Sequence, residues 1–221
     1  MTAQDLKLDY FKFCDVANLA VNEKVALKGQ FDQEPERARL SILTFFANPV
    51  SKNREPIYDK RAHLNWHVLF EPSPDPTRKL ALENQFGRSE ILIGSAFGPL
   101  APAQKYEIGS DFPKQLDHYK VYRTLDAEPL MKEVKLEDQF GADEVRVVYP
   151  VAFAVPVHKE HEGRTFKINN EKAHLLIYRI TSHKAEKTIR VRDQFGRYIL
   201  HVMRSILLAV PTVKRDWKVV D

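Results

Sequence analysis

Apolar and polar positions alternate in short runs along this chain, and the runs recur. Val25 and Leu27, Leu80 and Leu82, Val134 and Leu136, and Ile189 and Val191 each stand two residues apart. They are flanked by Lys28, Glu83, Lys135, Glu137, Arg190 and Arg192. A period of two places one side of a strand in a core and the other in water. Each run ends in the same signature: Gly29-Gln30-Phe31-Asp32, Asn84-Gln85-Phe86-Gly87, Asp138-Gln139-Phe140-Gly141 and Asp193-Gln194-Phe195-Gly196. The Gln-to-Gln steps are 55, 54 and 55 residues. A fixed period in this range marks a repeat architecture whose units bury their apolar faces together.

The rest of the unit repeats too. Aromatic-rich segments open it at residues 9–13, 62–66, 117–121 and 173–177, as strands do. A third segment passes through Ile42, Leu92, Val147 and Leu200, and a fourth ends at Pro49, Pro102, Pro156 and Pro211. Three residues beyond each Pro stands Lys52, Lys105, Lys159 or Lys214. The first unit carries a small insertion near Gln33 and Glu34. No stretch has a sustained helical period. The pattern predicts an all-β chain of four tandem repeats, at 8–59, 60–114, 115–170 and 171–221, with about 12 to 16 strands closing into one body. A four-bladed β-propeller is the favoured closure, and a β-barrel or stacked sandwich the alternative. The tail 216–220 resembles the connector 164–168 and is expected beside the first unit. In the signature, Gly87, Gly141, Gly196 and Asp32 suit left-handed backbone. Phe31, Phe86, Phe140 and Phe195 are expected to fold into the core, and Gln30, Gln85, Gln139 and Gln194 to bond the exposed backbone of the turn.

Residues 117–122, 138–141 and 155–159 carry a fuller pattern: His-aromatic-Lys-x-Tyr, Asp-Gln-Phe-Gly and Val-Pro-x-x-Lys. This resembles a repeated domain of unknown function in bacterial and archaeal proteins, many of them exported. The resemblance brings no activity. It implies an extracellular location, with one cysteine in the first strand and another just before the Pro. Here those positions hold Val121 with Ala154, and Ile177 with Ala209. The one cysteine, Cys14, excludes an internal disulfide. The first eight residues carry Asp5 and Lys7 and lack the apolar core of a signal peptide. Location therefore stays open.

Net charge is +4, from 34 basic and 30 acidic residues with no basic run, so nucleic acid is not the expected partner. No apolar run is long enough for a membrane-spanning helix. With eight glycines there is no phosphate loop or dinucleotide fingerprint, and no nucleophile elbow occurs. No cofactor is expected, with a divalent metal the one exception. His63, His118 and His174 occupy one repeat position, where Tyr10 stands in the first unit. Near a pseudo-symmetry axis they would converge as metal ligands. Alternatively each packs at its strand start, bonded to its own turn or to a backbone carbonyl. His158-Lys159-Glu160-His161 has the look of a local metal clip, in a connector where solvated histidines are commoner. Lys52, Lys105, Lys159 and Lys214 would form an anion-attracting ring if they surround one mouth. The expected function is a non-catalytic binding or assembly module, for a protein or glycan, with self-association as a variant. The alternative is a metal-binding protein or metal-dependent enzyme built on the histidine cluster.

Overall fold

The computed structural model describes residues 2–105, 112–113 and 115–220. After a 3-10 turn at Ala3–Leu6, the described strands are β1 (Tyr10–Ala20), β2 (Lys24–Gly29), β3 (Glu36–Lys52), β4 (His63–Phe70), β5 (Arg78–Asn84), β6 (Gly87–Lys105), β7 (His118–Asp126), β8 (Lys132–Asp138), β9 (Gly141–His161), β10 (Arg164–Phe166), β11 (His174–Asp193) and β12 (Gly196–Val219). Each repeat supplies an opening strand, a hairpin strand and a long strand. In the fourth, the opening and hairpin strands run together as β11.

The ladders are antiparallel and form a ring. They run β1–β3–β4–β6–β7–β9–β11–β12 and return to β1. Each opening strand pairs with its own long strand and with the long strand of the preceding repeat. Propeller blades keep their ladders to themselves, whereas these cross every repeat boundary. Among the described residues the ladders therefore do not group into the expected separate blades. Closure leaves the ring strands no free edge.

The hairpin strands leave the ring. Each turns back on its own long strand at the signature, then pairs with the end of a long strand two repeats away. Thus β2 meets β9, β8 meets β3, β5 meets β12, and the end of β11 meets β6. The tail follows this rule. Asp216–Val219 pairs with β5, in the second repeat, and the Trp217 ring lies 4.9 Å from Phe31 of the first. The tail thus pairs with the second unit rather than the expected first, which it touches through Trp217.

One buried cluster draws on all eight ring strands: Phe11, Phe13, Ala47, Leu64, Trp66, Leu100, Tyr119, Val121, Ala152, Ala154, Leu175, Ile177, Leu207 and Ala209. It fills the ring. Alternate residues on the same strands face outward, into two further clusters under the hairpins. Both faces are therefore buried, which is why residues 11–14, 63–67, 118–122 and 174–178 are buried without a break. Burying one such Leu, Val or Phe side chain contributes about 1.5–3 kcal/mol. Val121 and Ala154 are direct ladder partners, as are Ile177 and Ala209. An apolar contact stands where the resemblance implies a disulfide.

The signature is a two-residue Gln-Phe turn in the last three repeats, between Asn84 and Gly87, Asp138 and Gly141, and Asp193 and Gly196. Gly87 and Gly141 have φ of 116° and 138°, angles that suit glycine. The first repeat has a wider loop, as its insertion implies.

Candidate functional site

The turn acids come first, because they organise the rest. Asp138 Oδ1 accepts the Phe140 N–H (2.9 Å), Asp193 Oδ1 that of Phe195 (2.8 Å), Asn84 Oδ1 that of Phe86 (2.8 Å), and Asp32 Oδ2 that of Gly29 (2.8 Å). These Asx residues cap the turns, the role expected of the glutamines. Each also reaches a strand two repeats away. Lys12 Nζ lies 3.0 Å from Asp138 and 3.0 Å from Asp143. Lys120 Nζ lies 2.8 Å from Asp32 and 2.7 Å from Glu36. Asp193 Oδ2 accepts from Asn65 (2.7 Å) and His67 (2.8 Å). Asn84 donates to the Tyr178 hydroxyl at 3.0 Å. Burial alone would depress Lys12, but Asp138 and Asp143 outweigh it and raise its pKa. Burial would raise Asp193, but His67, Asn65 and the Phe195 N–H hold it below its ordinary value.

The glutamines instead bridge neighbouring repeats at the histidine positions. His118 Nε2 donates to Gln194 at 2.7 Å. Gln30 donates to His174 Nε2 at 2.6 Å, and His174 Nδ1 donates to the Lys172 carbonyl at 3.0 Å. Tyr10 donates to Glu55 at 2.8 Å, with the Gln85 amide 3.0 Å away. The fourth corner breaks the rule, since Gln139 bonds Asn48 while His63 packs on Phe46. On each strand the histidine alternates with ring-filling residues such as Leu64, Tyr119 and Leu175, so it faces away from the axis. His63, His118 and His174 therefore do not converge with Tyr10. Burial pushes their imidazoles down to about 3, 3 and 4, so they are neutral in the fold.

The four lysines are placed on aromatic rings. Lys105 Nζ lies 4.5 Å from the Phe140 ring centre and Lys159 4.5 Å from that of Phe195. Lys214 lies 5.5 Å from Phe31 and Lys52 5.2 Å from Tyr10. Lys52, Lys105 and Lys159 are buried, so three of the four present no charge to a mouth. Lys159 is fully buried, with Phe166 on its other side at 4.4 Å. Burial depresses it to about 7, Asp193 opposing only in part. Cys14 is also buried, and burial pushes its thiol up to about 12, far from a reactive thiolate.

Surface clefts lie outside three of these corners. Those beside His174–Gln30 and Gln139 measure ≈ 440 and ≈ 480 Å³. The cleft beside His118–Gln194 measures ≈ 980 Å³. Its wall includes Phe112, Arg164, Phe166, Lys167, Arg192 and Arg197, and its far rim Glu23, His161 and Glu162. The strand β10, which returns from β9 through Glu162-Gly163, builds much of this wall. Of these residues the sequence singled out only His161 as a candidate ligand. An x-Gly pair between polar strands hints at the hairpin, but nothing local points to Glu23, which arrives from the first repeat.

Among the described residues, no helix is long and apolar enough to cross a membrane. No curated protein and no solved structure matches the chain. A family model described as a repeat of unknown function matches residues 63–211, most of the chain. The repeated turns, corners and ring strands thus have a family, and the chain belongs to that repeat of unknown function (DUF7450).

Proposed function

We propose that the protein is a non-catalytic binding module and that its ligand is an anionic glycan, seated in the cleft beside His118 and Gln194. One observation carries this reading: that cleft has about twice the volume of the two compared at other corners, and its extra wall comes from residues outside the repeat signature. Arg164 and Lys167 are exposed on that wall, with the ring of Phe166 between them in sequence. A carboxylated sugar matches such a surface, because guanidinium and ammonium groups take the carboxylate and an aromatic face takes the ring. The repeated polar residues support the non-catalytic half. Their hydrogen bonds and ion pairs run to one another inside the fold, and the one thiol is protonated and buried. The strand ring itself is best understood as an eight-stranded barrel with side chains filling its axis, in support of which every ring strand contributes to one interior cluster.

Isothermal titration against polyuronate oligosaccharides, neutral glycans and acidic peptides tests the proposal. Binding of the uronates, weakened at least tenfold in an Arg164→Glu, Lys167→Glu variant that keeps its β-sheet circular dichroism, is the expected result. Binding of acidic peptides alone, or turnover of a glycan, would overturn it.

A further inference from the structure

The far rim of the same cleft holds three potential ligand atoms that the repeat pattern does not use. β9 ends at His161, and the turn Glu162-Gly163 has φ of 48° and 73°, left-handed at both positions. Such a turn reverses the chain within two residues and sets the Glu162 carboxylate beside the imidazole. The β2–β9 ladder brings Glu23 alongside, pairing Ala26 with Glu160. Among the described residues, Glu23, His161 and Glu162 are the only such trio of His, Cys, Asp or Glu with ligand atoms all within 4.8 Å of one another.

The imidazole is oriented. His161 is 7% exposed, and its ring meets Phe195 edge-on at 4.9 Å. Its Nδ1 donates to the Lys24 carbonyl at 3.1 Å. That bond fixes the tautomer and leaves the Nε2 lone pair facing the two carboxylates, each 4.0 Å away. At that distance neither is a hydrogen bond. A ring nitrogen held by a backbone carbonyl, its partner nitrogen aimed at carboxylates, is the arrangement by which metal-binding histidines are oriented.

We propose that His161 Nε2, Glu23 and Glu162 bind a divalent transition metal, zinc being the best match to one nitrogen and two oxygens, with a fourth position open to the cleft. A metal about 2.1 Å from each donor needs them about 3.4 Å apart, a contraction within reach of carboxylate rotation. This site stands independently of the glycan reading, since it needs no sugar.

Zinc binding to the full chain, measured by equilibrium dialysis without glycan, should give one equivalent per chain. Cobalt in its place should give visible absorption bands and paramagnetically shifted His161 resonances. Glu23→Gln and Glu162→Gln alter partly or fully exposed side chains and leave the fold intact. Each should weaken zinc at least tenfold, while His158→Ala should not. Undiminished binding in the double glutamine variant, or no stoichiometric binding at 1 mM zinc, would overturn the proposal.

Discussion

The two diagonals of the molecule solve one problem with different chemistry. Repeats one and three interlock through charge, Lys12 with Asp138 and Asp143, and Lys120 with Asp32 and Glu36. Repeats two and four meet at the same positions through Asn65 and His67 on Asp193, and through Asn84 on Tyr178. The geometry is shared, because a capped turn must bury its acid or amide against a strand whose outward face is also covered. The chemistry is free to vary provided the acid or amide at each turn finds a partner. A buried ion pair adds little net stability over an apolar contact, yet losing one member strands the other.

The diagonals should therefore break unequally. Lys12→Met leaves the buried Asp138 without its cation, and Lys120→Met does the same to Asp32. Each is expected to cost about 3–5 kcal/mol in urea unfolding. Adding Asp138→Asn to Lys12→Met should recover part of that loss, because the stranded charge is gone. A smaller effect of opposite sign tests the ring interior. Val121→Cys with Ala154→Cys joins direct ladder partners and should oxidise to a disulfide worth about 2–4 kcal/mol, seen as a raised Tm lost on reduction. It staples within a repeat, so it should not reduce the cost of Lys12→Met. At the uncharged Asn84–Tyr178 contact of the other diagonal, Asn84→Ala removes a turn cap and the bond to Tyr178, for about 1–3 kcal/mol by the same urea assay. A loss there matching Lys12→Met would erase the distinction.

The subtlest contrast is with pH. The raised pKa of Lys12 gives stability that is full below its unfolded value of 10.5 and is lost as pH rises through the folded one. The lowered pKa of Asp193 gives stability present above 3.8 and lost as pH falls through its folded value. Among the described residues no carboxylate pairs with Lys159, which reverses the sign of Lys12. Depressed to about 7, it should make stability rise with pH between about 7 and 10.5. Urea midpoints across pH should accordingly lose the acid slope in Asp193→Asn and the alkaline rise in Lys159→Met.

The strand pattern was legible from local signals. Alternation at Leu80 and Leu82, the Gln-Phe turns and the insertion near Gln33 each follow from neighbours in the chain. The glutamine role was not, because Asp138, adjacent in sequence, is the better placed turn cap and leaves Gln139 free to reach Asn48. Which of the two histidine readings holds was illegible for a related reason. Repetition guarantees equivalent positions around an axis but does not say which way a side chain points. That depends on pleat parity, with Leu64 and Trp66 turned inward and His63 turned out. The candidate metal site was half legible, His161 from its polar connector and Glu23 not at all.

By itself, the sequence determined an all-β chain with a four-times-recurring Gln-Phe signature and no internal disulfide, because these rest on short-range periodicity and residue identity. Tertiary structure alone decided which strands pair across repeat boundaries, which acid meets which lysine, and where the large cleft opens. Such contacts join residues far apart in the chain, Lys12 and Asp143 by 131 positions and Lys120 and Asp32 by 88. Only closure of the ring brings them together.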